Sequence, residues 1–177
     1  MTQKYHPIQI ALHWLIVALV LVQYATSGAI VRTHEAVAAG SGPTPDDLFL
    51  HVVHNRVGLF IVVLMVARLV VRVLIGRRHR ADNMPASSRA ATIGHAALYV
   101  LLIAQGLTGA IASYLWWPIS IVHVVLFKVI LAAVAGHVAM ALWHHFFLRD
   151  GTLRRMLPFV AEERWFAGVL SRTRDSL

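Results

Sequence analysis

The chain contains no cysteine. That absence excludes disulfides, thiolate metal ligands, iron–sulfur clusters and any haem attached through thioether bonds. Charge is scarce as well. Of 177 residues, 14% are charged and 58% hydrophobic, too few charges for a soluble domain of this length. Acidic residues number 8 against 16 basic ones, and the only carboxylate between Asp47 and Asp150 is Asp82. A proton pathway lined by carboxylates within apolar segments is therefore excluded. The composition describes a small integral membrane protein with a single domain over residues 1–158 and a tail over 159–177.

What is present is a set of long apolar runs. Segment one covers roughly Ile8 to Ile30 and segment two roughly Leu50 to Ile75, with Arg56 and Arg68 inside it. From Ala90 to Phe127 no residue is charged; as one helix this run would be about 57 Å long, too long for one crossing of a bilayer core of about 30 Å. Trp116, Trp117 and Pro118 divide it. Tryptophans suit the membrane interface, and proline suits the first turn of a new helix. Segment three is then roughly Thr92 to Ser113 and segment four Ile119 to Leu148. The N-terminus, MTQKYHPIQIALHW, has no basic n-region, and no small-residue cleavage site follows, so segment one is expected to be a retained helix.

The net charge of +8 is distributed in a way that excludes nucleic-acid binding. Arg77, Arg78, Arg80 and Arg89 form one cluster, and Arg149, Arg154, Arg155, Arg164, Arg172 and Arg174 form another. Both flank apolar segments, which is the positive-inside pattern of cytoplasmic loops. With four crossings, both termini are expected in the cytoplasm. The loop Val31 to Phe49, which sets Arg32 against Glu35, Asp46 and Asp47, is expected on the periplasmic side. In the tail, Val160, Trp165, Phe166, Val169 and Leu170 alternate with Glu and Arg. This fits a short helix lying on the membrane surface, or a frayed tail.

There are 11 histidines. His6, His34 and His79 fall in predicted loops or termini and are read as solvated. His95, His144 and His145 sit at the cytoplasmic ends of segments three and four. His13, His54, His123 and His137 lie within apolar segments, where histidine is costly and marks a site. His123 and His137 are fourteen residues apart on one predicted helix. Their imidazoles therefore lie about 40° apart around the axis and roughly 21 Å apart along it. Depth sorts the four into His54 with His123 and His13 with His137, a pattern that suits two six-coordinate haems stacked across the membrane. His51 competes with His54 as a ligand. Gly58, one turn after His54, favours His54 because a small residue there lets a flat macrocycle approach the backbone; Gly136 offers the same beside His137. Zinc is less apt, since a structural zinc needs four convergent ligands.

Arg68 follows His54 by fourteen residues, as His137 follows His123, so it is level with the cytoplasmic pair. A buried arginine needs an anion; a haem propionate is one, and snorkelling to cytoplasmic headgroups beside Arg72 is the alternative. Lys128 lies on another face of segment four from His123, and the sequence assigns it no role.

These residues resemble the bacterial cytochrome b561 family, four-helix di-haem membrane proteins. The resemblance runs nearly to Pro158. Its marks are Ile10-Ala-Leu-His13-Trp14, His54-Asn-Arg-Val-Gly58 with Arg68 and Arg72, and Gly94-His95. The most specific is His137-Val-Ala-Met-Ala-Leu-Trp-His144-His145-Phe, followed by Arg149-Asp-Gly-Thr-Leu-Arg-Arg-Met-Leu-Pro158. The resemblance implies the same ligand pairs, two b haems and electron transport in the bacterial inner membrane. Some members oxidise periplasmic superoxide and reduce ubiquinone, with the position matching His144 near the quinone. This chain departs from that type: its connection between segments three and four is short, and Arg32 and Arg56 are outnumbered by Glu35, Asp46 and Asp47, whereas an anion is captured fastest by a focusing positive surface.

Three functions follow as expectations. The first is electron transfer between a periplasmic partner and ubiquinone, with the quinone near His95 and His144 and with Leu98 and Trp143 lining its slot. The second is superoxide:ubiquinone oxidoreduction, with Arg56 attracting the anion beside His54. The third is a non-redox helical bundle.

Overall fold

The computed structural model describes residues 6–76 and 86–149, together with Leu153 and Met156. Four long helices occupy nearly all of this: α1 (Pro7–Ala38), α2 (Pro45–Gly76), α3 (Ala86–Tyr114) and α4 (Ser120–Trp143). A 3₁₀ turn, Trp117–Ile119, leads into α4, and a π-helical turn, His144–Leu148, extends it. There is no strand among the described residues. Each of the four helical stretches is long and apolar enough to cross a bilayer, and the chain is a multi-pass membrane protein. The tail proposed as an interfacial helix, the tail arginines and the arginines of the 77–89 region lie outside what can be described, except Arg149.

The helix starts follow from local chemistry. His6 caps α1: its ring accepts from the Ile8 amide while the Gln9 side chain accepts from the His6 amide, so two otherwise unpaired amides are satisfied. Thr44 caps α2, accepting from the Asp47 amide at 3.2 Å. Pro45 at the first helical position and Asp46 and Asp47 in the first turn suit the helix dipole.

The stretch expected to be a loop from Val31 to Phe49 is mostly helix. α1 runs on to Ala38, and only residues 39–44 connect it to α2. Ala36 and Ala38 are strong helix formers, and the Arg32–Asp47 ion pair, at 2.6 Å, ties the two helix ends together. Gly40 and Gly42, with φ of +70° and +72°, turn the chain, a conformation that glycine adopts without a Cβ clash.

Packing runs in series: α1 on α2, α2 on α3, α3 on α4. The core joins the first three helices through Ile16, Ile61, Leu64, Met65 and Tyr99, with Leu12, Leu19, Val57 and Leu102 around it. From α4 only Ile130 is buried. The backbone of α4 packs closely on α3, while side chains reach across to α1, where Phe127 stacks on Tyr24 with ring centroids 6.2 Å apart.

Candidate functional site

His54 sits on α2 against α1. Its Nδ1 is 3.1 Å from the Thr26 hydroxyl oxygen, and the Gln23 amide donates to its backbone carbonyl at 2.7 Å. The Thr26 hydroxyl donates its own proton to the Val22 carbonyl at 2.8 Å. Its oxygen is then an acceptor for Nδ1–H, which leaves the His54 Nε2 lone pair free to ligate. His123, on α4, is held in the same way from α3. Its Nδ1 donates to the Gln105 carbonyl at 2.9 Å, with the Thr108 oxygen 3.3 Å away, and Thr108 donates to the Ala104 carbonyl at 2.8 Å. Gln23-Tyr-Ala-Thr26 on α1 and Gln105-Gly-Leu-Thr108 on α3 are therefore clamps of the same sequence pattern, one for each histidine, with Gln23 reaching the His54 backbone carbonyl and Gln105 the His123 ring. His54 lies within electrostatic reach of His123.

A second cluster joins His13 of α1, Arg68 of α2, His95 of α3 and His137 of α4. The His13 and His137 ring centroids are 6.4 Å apart, and those of His95 and His137 are 5.1 Å apart. Arg68 Nη1 lies 2.9 Å from His13 Nδ1. Arg68 and Arg72 both stand over the Tyr99 ring, at 5.9 and 5.8 Å from its centroid.

These residues fit a haem iron on three observations. Two imidazoles binding one iron from opposite sides, with metal–nitrogen bonds of about 2 Å, hold their centroids about 6 Å apart. His13 and His137 meet that spacing; His95 and His137 are too close for it. At His123, the Gln105 amide nitrogen lies 3.1 Å from Nε2, while Gln105 Oε1 is buried without a partner. Nε2 is thus the acceptor nitrogen of His123, and the incompletely satisfied Gln105 amide would have to turn aside for an iron to take its place. Finally, the backbones of α1 and α2, which carry His13 and His54, do not pack closely on that of α4, which carries His123 and His137, so that side chains span the space between them. A side-chain Cβ at Gly109 would come 2.8 Å from the His123 ring, so a residue smaller than alanine is required beside that imidazole.

The other predicted residues are distributed unevenly. Arg56 is exposed, and Lys128 is exposed on α4. The space beside Gly58 is taken by the Gln23 amide, 3.2 Å from where a Cβ would stand, whereas at Gly136 a Cβ would meet nothing. His51 turns away from the His54 site toward His34, with ring centroids 5.6 Å apart. His34 is a correction in part: it is exposed as expected, but it lies in α1 and not in a loop, with its ring 4.1 Å from that of Trp117 and inclined at 40° to it. His95, expected to line a slot with His144, is in contact with His137. Trp143 is stacked on Phe147 at 4.1 Å. A cavity of about 540 Å³ opens instead between α2 and α3, lined by Leu69, Arg72, Ala96, Tyr99, Val100 and Ile103 among others. The residues that the sequence reading missed are Gln23, Thr26, Gln105 and Thr108. Their signal was a repeated Gln-x-x-Thr inside two apolar segments.

Four membrane-length helices with imidazoles gathered at two levels, each clamped or charged by a neighbouring helix, define a helical membrane cytochrome. The model of the prokaryotic cytochrome b561 family matches residues 4–159, and the chain belongs to that family. It is 32% identical to cytochrome b562 of Cereibacter sphaeroides over 89% of this chain and 98% of that protein. It is 27% identical to a probable superoxide oxidase, CybB, of Yersinia pestis over 89% and 98%. It is 25% identical to cytochrome b561 homolog 1 of Escherichia coli K12 over 88% and 97%. Family membership carries haem b and electron transport, and it sets aside the non-redox bundle.

Proposed function

We propose that the chain passes electrons across the bacterial inner membrane between a periplasmic partner and the ubiquinone pool. Two b haems serve this path, one held by His13 and His137 and the other by His54 and His123. The observation that carries the reading is the assembly of two separate imidazole sets at two levels of α4, one spaced for a shared iron and the other oriented by Gln-x-x-Thr clamps. A bound haem supplies a one-electron Fe(III)/Fe(II) couple. The protein residues do the rest. Thr26 and the Gln105 carbonyl hold protons on Nδ1 of His54 and His123, Arg68 places positive charge at the other level, and the imidazoles of His95 and His144 can hydrogen-bond a quinone carbonyl. Both termini and the 77–85 connection face the cytoplasm in this arrangement.

Superoxide oxidation is a second reading, supported by the similarity to the probable superoxide oxidase. Arg56, exposed close to His54, supplies a positive charge for it. The pairing of Arg32 with Asp47 weighs against it, because it removes a cation from the face that would attract the anion. Stopped-flow haem reduction separates the two. The carrier reading expects rapid reduction by ubiquinol and slow reduction by superoxide. The reverse order would make the chain a superoxide oxidase, and reduction by neither would refute both.

A further inference from the structure

We propose that His34 of α1 and His51 of α2 bind a divalent transition-metal ion, Cu²⁺ or Zn²⁺, at a site separate from the four histidines assigned to haem. Their ring centroids are 5.6 Å apart and their planes inclined at 50°. Imidazoles that share one ion through bonds of about 2 Å have centroids about 4.5 to 6.5 Å apart, depending on the angle at the metal. The Nδ1 atom of His51 is buried and has no hydrogen-bond partner, an arrangement that folded proteins usually avoid.

The pair is fixed before any ion arrives. α1 and α2 are packed together, and the Arg32–Asp47 ion pair at 2.6 Å clamps their ends. The Trp117 ring lies 4.1 Å from the His34 ring at an inclination of 40° and limits its rotation. His34 is exposed, so the site can be reached from solvent. Nearby Glu35, Asp46 and Asp47 outnumber Arg32, and this balance favours a cation. No group of three or more His, Cys, Asp or Glu side chains is arranged for a metal among the described residues. Two imidazoles and water therefore complete the shell, and the ion is exchangeable. Imidazole ligands suit copper and zinc, with Cu²⁺ the tighter.

The test is calorimetric titration of the untagged, haem-loaded, full-length protein with Zn²⁺ and Cu²⁺, alongside H34Q, H51Q and the double variant. The expected result is one ion per chain in the unaltered protein. Affinity should fall by about tenfold or more in each single variant, and the site should vanish in the double variant, with haem content and visible spectrum unchanged throughout. One-to-one binding that persists in the double variant would overturn the proposal, as would absence of saturable binding in the unaltered protein. Loss of haem in H51Q would also overturn it, by making His51 a haem ligand.

Discussion

Arg68 hydrogen-bonds His13 through Nη1 and Nδ1 at 2.9 Å. A guanidinium can only donate. The Nδ1 atom of His13 is therefore an acceptor here, and the ring proton of neutral His13 lies on Nε2. Ligation of iron through Nε2 requires the opposite tautomer. Arg68 and an iron on Nε2 can thus share neutral His13 only if the guanidinium moves to another acceptor, and with no protein carboxylate in these segments a propionate of the proposed haem would be the natural one. The level-matching of Arg68 with the His13/His137 pair, read from a spacing of fourteen residues, corresponds in the structure to direct contact.

Replacing Arg68 with Leu removes a positive charge beside that pair. A nearby cation favours the reduced haem, so the midpoint potential of this centre should fall. The expected change is about 60 mV, about a tenfold change in the one-electron equilibrium, with the other centre nearly unmoved. A spectroelectrochemical titration resolves the two. Movement of the His54/His123 centre alone would contradict the contact seen here.

His137→Ala and His13→Ala should each remove one of two haems, and His54→Ala and His123→Ala the other. Pyridine haemochrome analysis of each purified variant gives the haem per chain. Two haems retained in His137→Ala would refute the assignment, and loss of haem in His95→Ala with retention in His13→Ala would reassign the partner of His137.

Thr26→Val and Thr108→Val keep shape but remove the oxygens that face Nδ1 of His54 and His123. Loss of such an outer partner typically weakens metal binding by about 10- to 100-fold. Thr26→Val should show the larger effect, since Nδ1 of His123 retains the Gln105 carbonyl at 2.9 Å. Haem retention during competition with apomyoglobin measures this; equal retention in both variants and the unaltered protein would remove the clamps from the account.

Gly109→Ala places a methyl group 2.8 Å from the His123 ring, which forces the imidazole or α3 to shift. Crowding of this kind costs about 1–3 kcal/mol. The expected outcome is a selective loss or spectral change of the haem at His54/His123. An unaltered spectrum with normal haem content would show that the ring has room to move.

A quinone site near the ends of α3 and α4 predicts slower ubiquinol-driven haem reduction in His144→Ala and His95→Ala with haem content preserved. Rates equal to those of the unaltered protein in both would move attention to the cavity beside Arg72 and Tyr99.

The four helices were legible because long apolar runs leave few alternatives to a membrane span. Trp116, Trp117 and Pro118 marked the division between α3 and α4 for the same reason. The ends of α1 and α2 were not legible. Residues 31–38 are less apolar than the span before them, and their helicity rests on alanine and on an ion pair with Asp47, which lies fifteen residues beyond Arg32. At the site, depth along a helix follows from residue number, and the His13 and His137 rings stand 6.4 Å apart. Rotation about neighbouring helices does not follow from number. That is why the contact of His95 with His137, the packing of His34 on Trp117 and His51, and the filling of the space at Gly58 by Gln23 were invisible until the helices were assembled.

The close backbone packing of α4 on a single neighbour has a consequence for biogenesis. The first three helices share a side-chain core and can hold together as they leave the translocon. The fourth has its close backbone packing on α3 and meets α1 only through side chains, yet it carries His123 and His137. Under the proposed ligand assignment a haem would bridge α4 to α1 and α2, so capture of cofactor and closure of the bundle would become one event. A chain that fails to capture it presents the membrane with a loosely held last helix, a form that quality-control proteases can distinguish from the finished protein.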